Sequence, residues 1–297
     1  MKLRVATCRT LPEPDADAAP LAAALAAAGF DAELVAWDDP AADWDAPVPT
    51  IVRSTWNYAL DVHGFLAWIE RVGARAPLWN PPDVLRGNVH KRYLHELAAR
   101  GVPVIPTRLV ERGATLDLAR AADELGTTRL VIKPEVGAGS LGARVFELAR
   151  PAGADTGGVA DAGARAAAHL TDLTSRGAAL VQPYIASVDD YGERSLVWID
   201  GELSHAIRKA PRFVGDAESV TGPFPIADDE RAVAVAALAP YAERILYGRV
   251  DLARDASGQP LVMELELVEP SLFFARQPGS AERYAAALRR RLRTQSS

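Results

Sequence analysis

The chain has 297 residues, 49% of them hydrophobic, enough for a sizeable core and, at roughly 100 to 200 residues per domain, about two domains; disorder over most of its length is excluded. With 33 Lys+Arg against 39 Asp+Glu the net charge is −6, so no overall basic field draws in a nucleic-acid backbone, and the single cysteine, Cys8, closes no internal disulfide, which fits a reducing cytoplasm. No run reaches the roughly 18 apolar residues of a membrane span, and the alanine-rich stretch 20–30 follows Glu13, Asp15 and Asp17 instead of a basic leader, so a soluble protein without a membrane partner is expected.

In chain order, residues 3–8 read as a strand, 16–28 as a helix stopped by Gly29, and 32–37 as a second strand, a β-α-β unit. A third strand, 50–53, runs into Ser54-Thr55-Trp56-Asn57-Tyr58, and an amphipathic helix follows over 60–72. A parallel sheet presents ligand-facing residues at the carboxyl ends of its strands, which makes Arg53, Ser54, Thr55 and Tyr58 candidate substrate contacts. Asn80-Pro81-Pro82 reads as a linker, with a domain boundary near residue 86. A helix over 89–100, strand 107–110, helix 116–125, strand 129–133, a glycine-rich loop 134–142 and strand 143–148 come next. Residues 151–163 read as an irregular connection before helix 164–176 and strand 179–182. In the last third, strands 193–200 and 202–208 flank Asp200-Gly201, a strong hairpin signal; helix 228–244, strands 247–252 and 260–268, and helix 281–292 complete the chain.

Gly137-Ala-Gly139-Ser140-Leu-Gly142 matches G-x-G-x-x-G, but the β-branched and aromatic run behind it predicts a strand where a dinucleotide fingerprint must open a helix. Two readings stay open: an ordinary hairpin, or a loop whose backbone N–H groups cover phosphates while Lys133 supplies charge. Lys91 alone reads as a surface lysine. Gln182-Pro183-Tyr184-Ile185 is either a plain strand end or a hinge that reads an adenine edge, with Asp190 beyond it for ribose hydroxyls. Alternation in 261–268 sets Glu264 and Glu266 on one strand face, and Asp251 can join them across a hairpin turning at 255–258. Three convergent carboxylates suit Mg²⁺ shared with substrate phosphates, although by themselves they equally describe a solvated acidic face. Arg194, Arg208 and Lys209 are the cations that can neutralise a phosphoryl group or an acyl oxyanion. No nucleophile elbow is present, and His205 reads as structural.

The succession of Lys91, Lys133-Pro134 before the glycine loop, the hinge, the basic hairpin, and Asp251 followed by Glu264-x-Glu266 resembles an ATP-grasp ligase of the glutathione-synthetase-like branch over nearly the whole chain. The resemblance implies α/β plus α+β architecture: a pre-ATP-grasp parallel-sheet domain over 1–86 for substrate, a central ATP-grasp subdomain over 87–185 with the lid, and a C-terminal subdomain over 186–297 with the metal site. It implies ATP, with Lys91 and Lys133 on the phosphates and Gly137, Gly139, Ser140 and Gly142 in the lid. It further implies two Mg²⁺ ions on Asp251, Glu264 and Glu266, and Arg208 on an acyl-phosphate. Glu266 stands where the family usually has Asn, and Gln182 where it usually has Glu. The segments 53–58, 192–196, 204–209 and 263–270 are similar to a small subgroup of cyclo-ligases, which implies closure of O-ureido-D-serine to D-cycloserine. The alternatives are an intermolecular amide ligase with the same ATP machinery and a non-catalytic nucleotide-binding module. The implied partner is a small amino-acid substrate, with no nucleic acid; a homodimer is compatible with the sequence.

Overall fold

In the computed structural model, which describes residues 1–139, 141–148, 156–210 and 219–295, the first apolar runs form a parallel sheet. Its elements are β1 (Lys2–Thr7), α1 (Ala18–Ala27), β2 (Asp31–Ala36), β3 (Thr50–Val52), α2 (Val62–Gly73) and β4 (Leu78–Trp79), with strands in the order β2-β1-β3-β4. Parallel neighbours need a crossover, and α1 and α2 supply it for the first and last pairs. The Asp61 carboxylate accepts from the Gly64 N–H and starts α2. The buried face of α2, including Phe65, Trp68 and Ile69, then packs on Trp37, Trp44 and Tyr58.

The helix expected over 89–100 is two shorter ones, α3 (Pro82–Val89) and α4 (Tyr93–Ala99), interrupted at an extended His90. Pro82 sits in the first turn of α3, where its missing N–H removes no bond and its fixed φ already suits a helix, so the proline pair opens a helix where a linker was expected. Residue 86 lies inside α3. From the same helix Asn88 donates to the Leu265 carbonyl at 2.8 Å and accepts from the Leu267 N–H at 2.7 Å.

The middle section contains β5 (Arg108–Val110), α5 (Leu118–Glu124), β6 (Arg129–Pro134), β7 (Arg144–Glu147), α6 (Thr156–Arg176) and β8 (Ala179–Pro183), an antiparallel sheet in the order β5-β8-β6-β7. Leu130, Ile132, Ala179 and Val181 on one face pack against α5 and α6. Helix α6 begins at Thr156, inside the stretch expected to be irregular, in keeping with the high helix propensity of the alanines that follow.

The last section runs α7 (Ser187–Asp190), β9 (Glu193–Ile199), β10 (Glu202–Lys209), β11 (Val220–Phe224), α8 (Asp228–Leu238), β12 (Tyr247–Arg254), β13 (Pro260–Glu266) and α9 (Ser280–Gln295). Its antiparallel sheet has the order β11-β10-β9-β12-β13. Asp200 and Gly201 both have positive φ, 47° and 93°, as a two-residue primed turn requires. A bulge between Leu252 and its neighbours on β13 keeps Glu264 opposite Asp251 and Val262 opposite Leu252.

Alternation along these strands divides the sheet into two faces. Leu196, Trp198, Ala206, Val250, Leu252 and Leu265 pack against α8. Val197, Ile199, Ile207 and Tyr247 pack instead against α1, α9 and the first sheet, so the two ends of the chain share one core. Fully buried Asn80 fastens that join, donating to the carbonyls of Tyr247 and Leu267 at 2.9 and 2.7 Å and accepting from the Leu246 N–H at 2.8 Å. Among the described residues no helix is long and apolar enough to cross a membrane.

Candidate active site

Where β9, β10, β12 and β13 run past the shared core, the same face turns polar. Register sets Asp251 opposite both Ser195 and Glu264, Arg249 opposite Glu266, and Lys209 opposite Glu193. Period-2 alternation therefore gathers Glu193, Lys209, Arg249, Asp251, Glu264 and Glu266 on one side of the sheet.

Across from them stands the antiparallel sheet of the middle section. Lys133 on β6 reaches over to Glu264, Nζ to Oε1 at 2.7 Å. Lys91, between α3 and α4, lies 3.8 Å from the other Glu264 oxygen and donates to the Gly137 carbonyl at 2.7 Å. Burial opposes charge on Glu264, yet Lys133 and Lys91 outweigh it and hold the carboxyl down to about 2. Two lysines from the middle third and an acid from the last third thus form one ionised cluster, as the motif order implies.

A second cluster centres on Asp251, which is 1% exposed. It accepts Nε and Nη2 of Arg249, each at 2.8 Å, and Nζ of Lys209 at 2.9 Å. Arg249 also donates to Glu266 at 2.6 Å, and Lys209 pairs with Glu193. Burial would neutralise Asp251, but Arg249 and Lys209 keep it well below the carboxylate range. Glu193 goes the other way: desolvation, only partly offset by Lys209, pushes it up to about 8. Burial likewise raises Glu266 and pushes Glu269 up to about 8.

Asp251 and Glu264 are direct register partners, both ionised, and such oxygen donors suit a hard divalent cation that also binds phosphates. Each is now neutralised by the protein's own cations, and among the described residues no three acidic, His or Cys side chains gather as a closed metal cage. Glu266 is held by Arg249.

The glycine loop is the turn of an antiparallel β6-β7 hairpin, and no helix follows it directly. Gly137 and Gly142 lie against the Pro134 ring, Gly139 and Gly142 have φ of 59° and 77°, and the Gly142 carbonyl is 2.9 Å from His169 Nε2. Ser140 lies outside the described residues. Gln182, opposite Val131 on β6, shares the Lys133 face of that sheet and donates to Thr107 Oγ1 at 2.8 Å. Pro183 ends β8, the Tyr184 ring stacks 3.8 Å beneath the Arg129 guanidinium, and Ile185 is half-buried. Asp190 is exposed at the end of α7, whereas Asp189 is the acid that meets the Tyr184 hydroxyl.

Several expected contacts lie elsewhere. Arg194 and Arg208 are register partners on the face opposite Lys209. Arg194 is locked against α8, Nε and Nη2 bonding the Glu230 carboxylate at 3.0 and 3.1 Å, and Arg208 lies over the Phe224 ring. Neither makes a contact with the acidic cluster among the described residues, whereas Lys209 and Arg249 lie on the cluster face. Arg53 is 2% exposed and bonds the Pro270 carbonyl and the Asp17 carboxylate. The Ser54 hydroxyl bonds Thr7 Oγ1, and Thr55 is fully buried. The strand-end rule puts these three at the right edge, but all three are buried there, and Arg53 is taken up by Asp17 and the Pro270 carbonyl. Tyr58 differs. Its ring stacks on Phe65, and its hydroxyl has no hydrogen-bond partner among the described residues. Burial, with the charges of Glu269, Glu266 and Glu264 adding to it, raises its hydroxyl well above the usual tyrosine value. Arg249 was legible, since it sits two residues from Asp251, and Glu269 stands three residues beyond Glu266; Glu193, which reaches this face through its register with Lys209, was marked by no spacing.

A family model described as the N-terminal domain of D-cycloserine synthetase DcsG matches residues 3–80. The cycloserine biosynthesis protein DcsG of Streptomyces lavendulae is 36% identical over 301 residues, covering 94% of this chain and 95% of that protein. The crystal structure of D-cycloserine synthetase DcsG superposes with a TM-score of 0.85 at 35% identity, over 98% of this chain and all of that one. A D-alanine–D-alanine ligase from Bacillus anthracis shares the fold, with a TM-score of 0.66 at 18% identity over the full length of both chains.

Proposed function

The chain belongs to the D-cycloserine synthetase family of ATP-grasp ligases, and on that premise we propose that it activates the carboxylate of O-ureido-D-serine with ATP and closes the ring to D-cycloserine. The observation that carries this reading is the Lys133–Glu264 contact at 2.7 Å, which joins the two ATP-grasp sheets around a single charged cleft.

A carboxylate oxygen attacks the γ-phosphorus and ADP departs; the ureido nitrogen next to the side-chain oxygen then attacks the acyl carbon, and phosphate leaves with the former carboxylate oxygen. The carbamoyl group is lost to water as carbon dioxide and ammonia. Carboxylate and triphosphate repel each other, so Lys91 and Lys133 neutralise the phosphates and Lys209 and Arg249 the acyl-phosphate. Asp251 and Glu264 would hold Mg²⁺ and Glu266 a second ion, and these would supply charge neutralisation of the phosphates. Gly137 to Gly142 close over the site and limit hydrolysis of the mixed anhydride. Gln182 to Ile185 line the adenine, and Asp190 meets the ribose. Residues 1–86 present the substrate, 87–185 the nucleotide and 186–297 the metal. One folded substrate replaces two, and holding a near-attack conformer in such a reaction is worth up to roughly 7 to 11 kcal/mol. The protein acts in the cytoplasm, and a dimer is part of this reading only as an arrangement to be measured.

ADP release in the presence of ATP, Mg²⁺ and O-ureido-D-serine as the only amino acid tests the assignment. Turnover without any added amine is expected; ADP release that requires a second amine would show an intermolecular ligase, and ATP binding without stimulated turnover a non-catalytic module. The two faces of the sheet give a sharper contrast. Arg208→Ala leaves the initial rate within about threefold, because the side chain lies on the far face, while Lys209→Ala lowers kcat about 100-fold, the usual size for one electrostatic donor.

A further inference from the structure

Residues 267–274, which follow the metal strand, are held by the rest of the protein at nearly every step. The Leu267 carbonyl accepts from Asn80, the Val268 carbonyl lies 2.8 Å from the Tyr247 hydroxyl, and the Glu269 carbonyl accepts from Trp56 Nε1 at 3.1 Å. The Pro270 carbonyl accepts from Arg53 and that of Ser271 from Arg249, each at 3.0 to 3.1 Å, and the N–H groups of Leu272, Phe273 and Phe274 all bond the Asp17 carboxylate. A backbone fixed so thoroughly fixes the position from which the Glu269 side chain projects. That side chain is 9% exposed, and its carboxylate makes no hydrogen bond or ion pair with another described side chain. Its charged neighbours are Glu266, Lys91 and Arg249, members of the clusters already described, and it is the acid felt most strongly by Tyr58.

Burial keeps this carboxyl largely protonated near neutral pH, and a cationic ligand that donates to it restores its charge. Around it the cleft is rich in donors without acceptor capacity: Lys91, Lys133, Lys209 and Arg249 suit phosphates and a substrate carboxylate. Acceptors on this side include the Glu269 carboxylate and the Tyr58 hydroxyl, together with the Ser195 hydroxyl opposite Asp251, which has no hydrogen-bond partner among the described residues. An amino-acid substrate brings one group that needs acceptors only, its ammonium, with three N–H donors.

We propose that Glu269, with the Tyr58 hydroxyl, forms the subsite for the α-ammonium group of the amino-acid substrate, an inference that rests on the ligase reading above. The carboxylate end of the substrate then faces the lysines and Arg249, and its ammonium faces the first domain. Glu269 is a binding residue for the substrate and takes no part in nucleotide binding.

The test is steady-state ADP release by wild type, Glu269→Gln and Glu269→Asp, with O-ureido-D-serine and with its deamino counterpart, 3-(ureidooxy)propanoate. Glu269→Gln raises KM for the amino acid about 30-fold or more, the scale of breaking a desolvated charge pair, and leaves KM for ATP within about twofold. Wild type and Glu269→Gln become equal on the deamino compound, and Glu269→Asp recovers part of the loss. The melting temperature of Glu269→Gln is unchanged or higher, which a merely structural acid would not show. An unchanged amino-acid KM, a fall in kcat alone, or a rise in KM for ATP or Mg²⁺ overturns the subsite while leaving the ligase reading standing. If wild type itself shows no amino-acid-stimulated ADP release, the ligase reading fails and the subsite goes with it.

Discussion

Replacing Glu264 by Gln lowers ADP release about 10³-fold while ATP binding is largely retained. Among the described residues Glu264 is the acid that meets both Lys91 and Lys133, the lysines proposed for the phosphates, and it also stands opposite Asp251. An amide of the same size keeps the packing of β13 but removes the negative charge that Lys133 and Lys91 hold ionised. The lysines proposed to grip the triphosphate remain, so nucleotide affinity is expected to survive. What is lost is the ionised oxygen donor proposed for the metal, and metal assistance to charge development in phosphoryl transfer is worth several kcal/mol, about 4 for a 10³-fold change. Initial rates with titrated Mg²⁺, alongside fluorescence titration of a nucleotide analogue, check it. Turnover within about threefold of wild type would remove Glu264 from the machinery.

Asp17→Asn lowers stability by about 3 to 5 kcal/mol, the loss expected when one partner of a buried ion pair is neutralised. Asp17 and Arg53 have side-chain exposures of 3% and 2%, and besides Arg53 at 3.2 Å the carboxylate accepts the N–H groups of Leu272, Phe273 and Phe274. The amide can accept at only one atom, and the Arg53 guanidinium is left charged without its partner. A fall in melting temperature on the order of 10 °C accompanies the change. Because Asp17 ties the 267–274 segment to the first domain, residual folded enzyme also shows a raised amino-acid KM. A variant that unfolds in urea at the wild-type midpoint would show that the clamp contributes nothing.

Alternation made Glu264 and Glu266 readable as one face of the last sheet, but a regular ladder counted back from the turn at 255–258 sets Asp251 opposite Met263, and only the bulge beside Leu252 brings it opposite Glu264. The same count carried back along β10 would have separated Arg208 from Lys209, but the register shift between Leu203 and His205 is invisible in sequence, and adjacent basic residues look interchangeable without it. Arg53 shows a different limit. Its place at the end of β3 follows from local pattern, whereas its burial comes from a segment 217 residues further on. No periodicity reports on such a partner. The break between α3 and α4 was hidden by two competing meanings of Pro81-Pro82, linker or helix start, which tertiary contacts through Asn88 resolve. The lysines were legible by order alone: Lys133 and Glu264 are 131 positions apart, and only the fold shows that they touch.

Phosphorus chemistry at that contact can be followed by isotope. With O-ureido-D-serine labelled by ¹⁸O in its carboxylate, mass spectrometry of the inorganic phosphate released in single-turnover conditions should show one ¹⁸O per phosphate and unlabelled ADP. Phosphate without label would mean that the carboxylate never bonds to the γ-phosphorus, and the account of this cleft as a carboxylate-activating site would be wrong.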